Sequence, residues 1–352
     1  MAQSRWVRFV GIVALAGLPA GASAGPPATA PPAPASTAAP AAAAAPAEKE
    51  PGLDQEALRN QALSALDRED PVGCASLAAE GVKLSGRYRE ELFGLQGTCL
   101  DNAGDVRGAV AAYTEGLRRF PASASLHYNL AVTHLGHKAL PEALVHAKGA
   151  VQSEPSSARY HGFLGVIYGQ LGEKTPALLA RLRALSLETQ GAVAGSLLIS
   201  LLEHLTDGVS KDGLERKVTL QLGPPSAEGD FRTYQFIEAT IKHRELERVG
   251  HGGKEDFPAL RQQLVAILQA LAEEKPDAGF SRLYYLPFFI ELKAKGHLET
   301  FSYALFTMGA AKDKGLALWL KKHPQKLKRL AAWAQGYRHP APAAAPVPPA
   351  SP

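Results

Sequence analysis

Apolar residues recur at the spacing of a helix face through most of the chain between residues 53 and 339. The clearest run, from Phe257 to Glu274, repeats them three or four residues apart: Leu260, Leu264, Ile267, Leu268 and Leu271. This spacing places the side chains on one face of an α-helix. One short segment, Lys217 to Leu222, instead alternates polar and apolar residues as a strand does. The overall pattern predicts an all-α fold.

Residues 192–339 are predicted to form a mostly helical domain. Gly191 to Leu205 is apolar nearly all round, which is typical of a buried helix. Phe231 to Val249 is amphipathic and is expected to bury one side: Tyr234, Ile237, Ile241 and Leu246. Shorter helices are predicted at 280–295, 297–308, 314–319 and 325–337. Their aromatic residues are expected to form the core: Phe280, Tyr284, Tyr285, Phe288, Phe289, Phe301, Tyr303 and Phe306.

A second pattern repeats every 34 residues in the first half of the chain. Small residues return at this interval in two series: Gly97, Ala131 and Gly165, and Ala109, Ala143 and Ala177. Two antiparallel helices pack closely where small residues face each other at the crossing point. Pro121 and Pro155 keep the interval and end each unit, because proline cannot continue a helix interior. The period predicts a helix–turn–helix unit stacked on copies of itself.

The repeat resembles the tetratricopeptide repeat family. The unit at 124–157 matches best, with the family's small, aliphatic and proline positions filled by Asn129, Leu130, Ala131, Ala143, Ala150 and Pro155. Units at 90–123 and 158–191 keep the register. The unit at 56–89 is degenerate, because Leu63 stands at a small-residue position. The resemblance implies a helical solenoid over 53–191 that binds a protein or peptide partner on its concave face.

In this family the first helix of each unit lines the concave face. The family geometry implies these partner-binding residues: Asn60, Ser64, Asp67, Arg68, Glu91, Thr98, Asp101, Asn102, Tyr128, Arg159 and Gln170. Gly94, Gly136, Gly162 and Gly169 fall on the same face, where a partner backbone could approach closely. An ordinary solvated surface is the alternative. The paired Lys and Asn with which some family members hold a chaperone C-terminus are not matched.

Residues 1–24 have the features of an export signal. Arg5 and Arg8 precede a short apolar run, and Ala22-Ser23-Ala24 is a small-residue cleavage site. The run is too short for a bilayer, which needs about 20 apolar residues. Leu18 stands where a lipidated cysteine would be required, so no lipid anchor is expected. These features predict a bacterial protein that is periplasmic or secreted, and an uncleaved anchor is the alternative.

Two segments, 25–52 and 340–352, consist almost entirely of Ala, Pro, Gly, Ser and Thr. Such segments lack the apolar side chains that would offset the entropy lost on ordering, so both are predicted to be disordered. Between them lie the predicted solenoid, 53–191, and the predicted helical domain, 192–339.

The chain has two cysteines, Cys74 and Cys99. An even count in an exported chain favours a disulfide. The repeat register puts Cys74 in the second helix of unit one and Cys99 in the first helix of unit two, which are neighbours in a solenoid of this kind. A bridge would fasten the first unit to the array. Two buried free thiols are the alternative.

No catalytic site, cofactor or metal is expected. The sequence has no Gly-x-Ser-x-Gly elbow, no His-Glu-x-x-His and no dinucleotide fingerprint. The run Gly250-His251-Gly252-Gly253-Lys254 lacks the second half of a phosphate-binding loop. His134 and His137 share a helix face and could chelate a metal, but His127 and His134 occupy packing positions of the family.

Basic residues dominate 312–338, where Asp313 is the one acid: Lys312, Lys314, Lys321, Lys322, Lys326, Lys328, Arg329 and Arg338. An apolar stripe lies beside them: Leu327, Leu330, Ala331 and Ala334. This combination favours contact with an anionic membrane surface or an acidic partner. The solvated back of a terminal helix is the alternative. A formal net charge of only +4 argues against nucleic-acid binding.

These features together favour a non-catalytic, exported scaffold whose repeats bind a protein or peptide. An enzyme or enzyme subunit with a site in 192–339 is the first alternative. A structural envelope protein, tethered through its Ala/Pro-rich ends, is the second.

Overall fold

The computed structural model describes residues 54–206, 228–253 and 256–340. The predicted signal at 1–24, the 25–52 segment, the alternating segment at 217–222 and the tail beyond Pro340 lie outside the described residues. The described ranges contain fifteen α-helices and one 3₁₀ turn. The prediction of an all-α fold is confirmed.

The first eight helices form four antiparallel pairs, one pair to each unit. Their bounds are α1 Gln55–Asp67, α2 Pro71–Gly81, α3 Arg89–Asn102, α4 Val106–Arg119, α5 Ala124–Gly136, α6 Leu140–Ser153, α7 Ala158–Gln170 and α8 Lys174–Leu187. Each helix also packs on the next along the chain. The pairs therefore stack into a solenoid, as the 34-residue period predicts.

The later helices cover the C-terminal end of this stack. Their bounds are α9 Gly191–Thr206, α10 Arg232–Gly250, α11 Phe257–Glu273, α12 Phe280–Ala294, α13 Leu298–Ala304, a 3₁₀ turn Thr307–Gly309, α14 Lys314–Lys322 and α15 Pro324–Gly336. Helix α9 packs on α8 and α7 as the next helix of the solenoid would. In the described ranges no helix is long and apolar enough to cross a membrane.

The small residues of the repeat lie where paired helices cross. Ala109, Ala131 and Ala143 are fully buried. A Cβ atom on Gly97 would stand 2.5 Å from the ring of Tyr113, and one on Gly165 would stand 2.8 Å from the Arg181 side chain. Any larger side chain would force the helices apart. The packing explains why only small residues recur at these positions.

Unit one is shifted by one residue relative to the sequence prediction. A Cβ on Gly81 would lie 2.9 Å from Leu92, and one on Gly116 would lie 2.9 Å from Leu126, so the two glycines are equivalent. The chain from Gly81 to Leu92 is one residue longer than the chain from Gly116 to Leu126. Fully buried Ala62, not Leu63, therefore takes the small-residue position. The first unit packs like the others.

Helix caps support the same shift. The Asp70 carboxylate accepts a hydrogen bond from the Gly73 N–H at 2.8 Å, and Asp105 accepts one from the Gly108 N–H at 2.9 Å. These are N-caps, in which a side-chain oxygen satisfies a backbone donor that the first turn leaves open. Helices α2 and α4 thus begin with the same Asp-x-x-Gly arrangement.

The structure contains the predicted disulfide. Cys74 of α2 and Cys99 of α3 are joined, with their Cα atoms 5.9 Å apart, and both are fully buried. The bridge links unit one to unit two within a small apolar cluster of its own.

One hydrophobic cluster runs from Ala131 in α5 to Ala334 in α15. Of the eight aromatic residues predicted for the core, Phe280 and Tyr303 are partly buried and pack against this cluster, and the other six belong to it. The cluster is continuous across residue 191, where the sequence predicts a domain boundary. Units three and four therefore share their core with the C-terminal helices.

Polar contacts join the chain's end to unit four. Fully buried Arg183 of α8 donates hydrogen bonds to the Ala334 carbonyl at 2.9 Å and to His339 Nε2 at 3.0 Å. His339 Nδ1 donates to the Tyr284 carbonyl at 2.8 Å, and its ring stacks on Tyr284 at 4.0 Å. We call these contacts of Arg183 and His339 the C-terminal latch.

A buried carboxylate makes a second connection. Glu228, 2% exposed, accepts hydrogen bonds from the Tyr168 hydroxyl at 2.5 Å and the Ser281 hydroxyl at 3.0 Å, and it pairs with Lys148 of α6. Burial, followed by the neighbouring Glu228 charge, raises the pKa of Tyr168 well above its usual value. The cluster binds unit three and unit four to the start of α12.

Helix α10 buries most of the predicted apolar side, since Tyr234 and Leu246 are buried and Ile241 packs against the core. The prediction is wrong at Ile237, which is 38% exposed. The buried face also includes Glu238, whose carboxylate lies 2.8 Å from His204 and 2.7 Å from Lys242. Burial alone would raise the pKa of Glu238, but the charges and hydrogen bonds of His204 and Lys242 lower it to about 2. An apolar periodicity cannot identify such a face, because ion pairs satisfy its buried positions.

Candidate functional site

The candidate site is the exposed side of the first helices α1, α3, α5 and α7, which we call the inner wall. At its N-terminal end Arg59 pairs with Glu91 of the next unit at 2.6 Å. Asn60 accepts a hydrogen bond from Arg59 at 2.9 Å, and Arg68 donates one to Ser64 at 2.9 Å. The shift in unit one brings Arg59, which the sequence analysis omitted, across to Glu91.

Two predicted wall residues bind neighbouring helices. The Thr98 hydroxyl lies 2.9 Å from the Tyr113 hydroxyl and 2.9 Å from the Gly94 carbonyl. Asp101 accepts a hydrogen bond from Thr133 of unit three at 2.9 Å. Burial raises the pKa of Tyr113 to about 12, so its hydroxyl stays protonated and can take part in this network. Thr98 therefore links α3 to α4 within unit two, and Asp101 links unit two to unit three.

The remaining predicted residues fall into two groups. Asp67, Asn102 and Gln170 are exposed at the C-terminal ends of their helices. Tyr128 and Arg159 meet each other, with the guanidinium 4.3 Å above the centre of the tyrosine ring. The structure thus brings Tyr128 of unit three and Arg159 of unit four, both predicted to bind the partner, into contact.

Tyr128 also belongs to an aromatic cluster. Its ring centre lies 5.3 Å from that of Tyr160 and 4.9 Å from that of Phe163, both on α7. Rings at these separations interact favourably through their edges and faces. We refer to Tyr128, Tyr160, Phe163 and the covering Arg159 as the aromatic cluster.

Two exposed valines extend this surface, and sequence reasoning missed them. Val132 of α5 is 39% exposed and Val166 of α7 is 42% exposed. They stand one repeat apart, four and seven residues after Tyr128 and Arg159 respectively. The sequence does mark them, because Val132 and Val166 follow the predicted wall residue Thr98 at intervals of 34 residues. The wall offset that carries Thr98 in unit two is therefore apolar in units three and four.

Three of the four wall glycines are covered. Side chains of Leu126, Leu197 and Arg181 lie within 4 Å of where a Cβ would stand on Gly94, Gly162 and Gly169 respectively. Gly136 has nothing within 4 Å. Close approach of a partner backbone is thus open at Gly136.

A cleft of about 540 Å³ opens beside the aromatic cluster, at the loops that connect units two, three and four. Its walls include the carboxylates of Glu90 and Glu154, the hydroxyls of Ser125 and Ser153, and the ring of Tyr160. Glu90 accepts a hydrogen bond from Ser123 at 2.6 Å. Burial raises the pKa of Tyr160. Since Tyr160 belongs to both, the cleft and the aromatic cluster form one continuous surface.

The histidines of unit three pack against one another. His127 Nδ1 lies 3.2 Å from His146 Nδ1, and His134 stacks on His146. His137 points elsewhere, with its Nε2 3.7 Å from Asp101. Within the described part of the chain, no group of three or more His, Cys, Asp and Glu side chains is arranged to hold a metal ion.

The array can now be classified from its geometry. Its helix pairs follow one another at a 34-residue interval from unit two onward, with small residues at each crossing. A proline follows the second helix in units two and three, and Thr189 takes that position in unit four. The described chain contains a tetratricopeptide-like helical repeat. Each unit of this kind presents one helix to a shared wall.

Among known proteins, matches to the chain were found only among solved structures. No family model and no curated protein matches the chain. A MamA RS-1 double mutant is 20% identical, with 56% of this chain and 97% of that chain covered and a TM-score of 0.37. A tetratricopeptide repeat protein from Parabacteroides merdae is 13% identical, with 81% of this chain and 100% of that chain covered and a TM-score of 0.38. A chain in the structure of Naa15/Naa10 bound to HypK-THB is 14% identical, with 80% of this chain and 38% of that chain covered and a TM-score of 0.35.

Proposed function

We propose that the protein is a non-catalytic scaffold that binds an extended segment of another protein on the inner wall of units three and four. The observation that supports this is the apolar surface formed by the half-buried rings of the aromatic cluster and the exposed side chains of Val132 and Val166. Tyrosine and arginine are the residue types in which binding energy concentrates at protein interfaces. Tyr128 and Arg159, already in contact, are the proposed anchors.

The surface also indicates the chemistry of the partner. Apolar side chains of the bound segment would cover Val132 and Val166. A lysine or arginine of the partner would enter the cleft, where Glu90 and Glu154 supply carboxylates beside the ring of Tyr160. The segment we propose is therefore apolar with a basic residue at one end.

We further propose that the protein acts outside the cytoplasm, in the periplasm or after secretion. The support is the sequence pattern in residues 1–24, which predicts an export signal, and a disulfide between the chain's two cysteines.

An enzyme or enzyme subunit with a site in 192–339 is the alternative function. Its support would be ionisable groups that converge on a cavity. The carboxylates of Glu228 and Glu238 do gather such groups, but they are 2% and 6% exposed and bind protein side chains. These contacts favour a structural role. A structural envelope protein is a second alternative.

Site-specific photocrosslinking in the intact, full-length protein tests the proposed site. A photoreactive residue at position 132 or 166 should crosslink to one partner in cells that express the protein. The matched control is position 145, because Val145 is an exposed valine of unit three on the second helix, α6. Equal crosslinking of that partner from 132, 166 and 145 would contradict a binding site on the inner wall.

Substitutions test the anchors once the partner is known. Tyr128→Ala with Arg159→Ala should weaken binding by 100-fold or more, because central hot-spot residues each contribute roughly 2 kcal/mol or more. Arg107→Ala is the control, since Arg107 is an exposed arginine of unit two. Lys148→Ala would be a poor control, because Lys148 pairs with Glu228. Unchanged affinity of the double variant would rule out these anchors.

A further inference from the structure

The C-terminal helices α14 and α15 present a basic surface that the scaffold function does not use. Residues 312–338 contain eight lysines and arginines and one acid, Asp313. The Asp313 carboxylate is occupied as a helix cap, accepting a hydrogen bond from the Leu316 N–H at 2.7 Å. The local charge is therefore strongly positive.

One face of α14 combines this charge with an exposed apolar side chain. Leu318 is 52% exposed. Lys314 precedes it by four residues, and Lys321 and Lys322 follow it by three and four, so all four side chains share a helix face. Across the described ranges, no carboxylate lies within 4.0 Å of Lys314, Lys321 or Lys322. We call this face of α14 the basic face.

The opposite side of α14 fixes the basic face in its outward orientation. Leu316 is fully buried, and the Trp319 ring stacks on Tyr303 at 3.9 Å and on His323 at 4.4 Å. Because the helix is already formed and anchored, a ligand that meets the basic face does not have to order it.

The apolar stripe of α15 has a different role. Leu330 and Ala334 are buried in the core, and the Ala334 carbonyl accepts from Arg183. The predicted stripe on 327–334 is therefore largely used within the fold. Among the large hydrophobic side chains of α14 and α15, that of Leu318 is the most exposed.

We propose that the basic face of α14 binds the surface of an anionic lipid bilayer. Lysines beside such a surface attract its headgroups, and an apolar side chain between them can enter the boundary between headgroups and acyl chains. A soluble acidic partner would pair with the lysines but would not bury the side chain of Leu318. The central, exposed Leu318 favours a membrane.

Vesicle binding by the full-length protein tests this proposal. The probes are vesicles of phosphatidylcholine alone and vesicles with about a third phosphatidylglycerol, at low and at physiological salt. We expect binding to the anionic vesicles only, weakened by salt, because surface charge attraction is screened. The absence of binding to anionic vesicles at low salt would overturn the proposal.

Matched variants separate the basic face from net charge. Lys314→Gln, Lys321→Gln and Lys322→Gln together should weaken vesicle binding by roughly a hundredfold, since each lysine near an anionic surface contributes about fivefold. The control removes three exposed positive charges elsewhere: Lys83→Gln, Arg107→Gln and Lys138→Asn. Lys138 has a positive φ of 59°, which asparagine tolerates. Equal losses in both triple variants would overturn the assignment to α14.

Leu318→Ser separates a bilayer from a soluble polyanion. It should weaken binding to anionic vesicles several-fold while leaving retention on soluble polyglutamate unchanged. If Leu318→Ser alters neither, and polyglutamate competes fully with the vesicles, the surface binds an acidic polymer and the lipid proposal is wrong. Unchanged melting temperatures show that each variant is folded.

Discussion

Single residues at the helix crossings determine how closely the units stack. Gly97 and Gly136 are both helical glycines, but their surroundings differ. A Cβ on Gly97 would stand 2.5 Å from the Tyr113 ring, whereas one on Gly136 would meet nothing within 4 Å. The same substitution should therefore have opposite effects at the two positions.

Gly97→Ala should destabilise the protein by roughly 1–3 kcal/mol, because it overpacks the crossing of α3 and α4. Gly136→Ala should leave stability unchanged or raise it by up to about 1 kcal/mol, since alanine loses less backbone entropy in a helix. Urea unfolding of the two variants measures both. Similar effects at the two sites would show that the α3–α4 crossing is not closely packed.

Buried histidines should make the fold sensitive to mild acid. Burial, then the charges of His127 and His134, lowers the pKa of His146 to about 4, and burial, then Arg183, lowers that of His339 to about 3. Burial also lowers the pKa of His161 well below its ordinary value of 6.5. Below about pH 6.5 the unfolded chain therefore binds more protons than the folded chain, and stability falls as pH falls.

Each such histidine should reduce stability by up to about 1.4 kcal/mol per pH unit between roughly pH 6 and pH 5. Glu238, with its lowered pKa, adds to the loss only nearer the ordinary carboxylate range. Urea unfolding of the parent and of His146→Gln at several pH values measures the slope. The variant should show a shallower slope. A parent whose stability is constant over this window would contradict the burial of neutral histidines.

At the residue scale, sequence reasoning found the small-residue series and missed one insertion. The 34-residue interval holds from unit two onward because each crossing requires a small side chain. The extra residue between Gly81 and Leu92 lies in a linker, where no packing constraint marks it in the sequence. As a result Arg59 escaped the predicted site, although it meets Glu91.

At the scale of helices, the disulfide is the covalent link between units one and two. It joins α2 to α3 across a sequence separation of 25 residues. The small cluster around Cys74 and Cys99 is separate from the large core that begins at Ala131. Unit one therefore depends on the bridge more than later units depend on any single contact.

Reduction of the disulfide should destabilise unit one by roughly 3 kcal/mol in the loop-closure model. Hydrogen exchange should show faster exchange in α1 and α2 after reduction and little change in α11 and α12. The matched variant Cys74→Ala with Cys99→Ala should behave like the reduced protein. Equal exchange rates in α1 before and after reduction would contradict this dependence.

Helix α10 shows where an apolar pattern stops being informative. Its existence and bounds followed from the sequence, but its buried face includes Glu238 and Lys242, while Phe236 is 63% exposed. These polar positions are buried because each has a charged partner on another turn or helix. Such partners, here His204 of α9, are distant in sequence and leave no periodic signal.

At the scale of the whole molecule, the repeat and the C-terminal helices depend on each other. The period predicts contacts between neighbouring units, but it contains no information about a helix that returns to the array from a hundred residues further along. Arg183, His161 and Lys148 are repeat residues, yet their hydrogen-bond partners include Ala334, Tyr285 and Glu228. A fragment that ends near residue 191 would leave these groups without partners.

The C-terminal latch offers a direct test of that dependence. Removing residues 337–352 deletes His339, which accepts from buried Arg183 and stacks on Tyr284. A buried charged donor that loses its partner destabilises a protein by roughly 1–3 kcal/mol. We expect a lower melting temperature and faster hydrogen exchange in α7 and α8, with α1 and α2 unaffected. Removing residues 341–352 alone is the control and should change neither, because it keeps every latch contact. If both truncations unfold like the full-length protein, the latch contributes nothing to unit four, and the continuity of the core alone must hold the repeat and the C-terminal helices together.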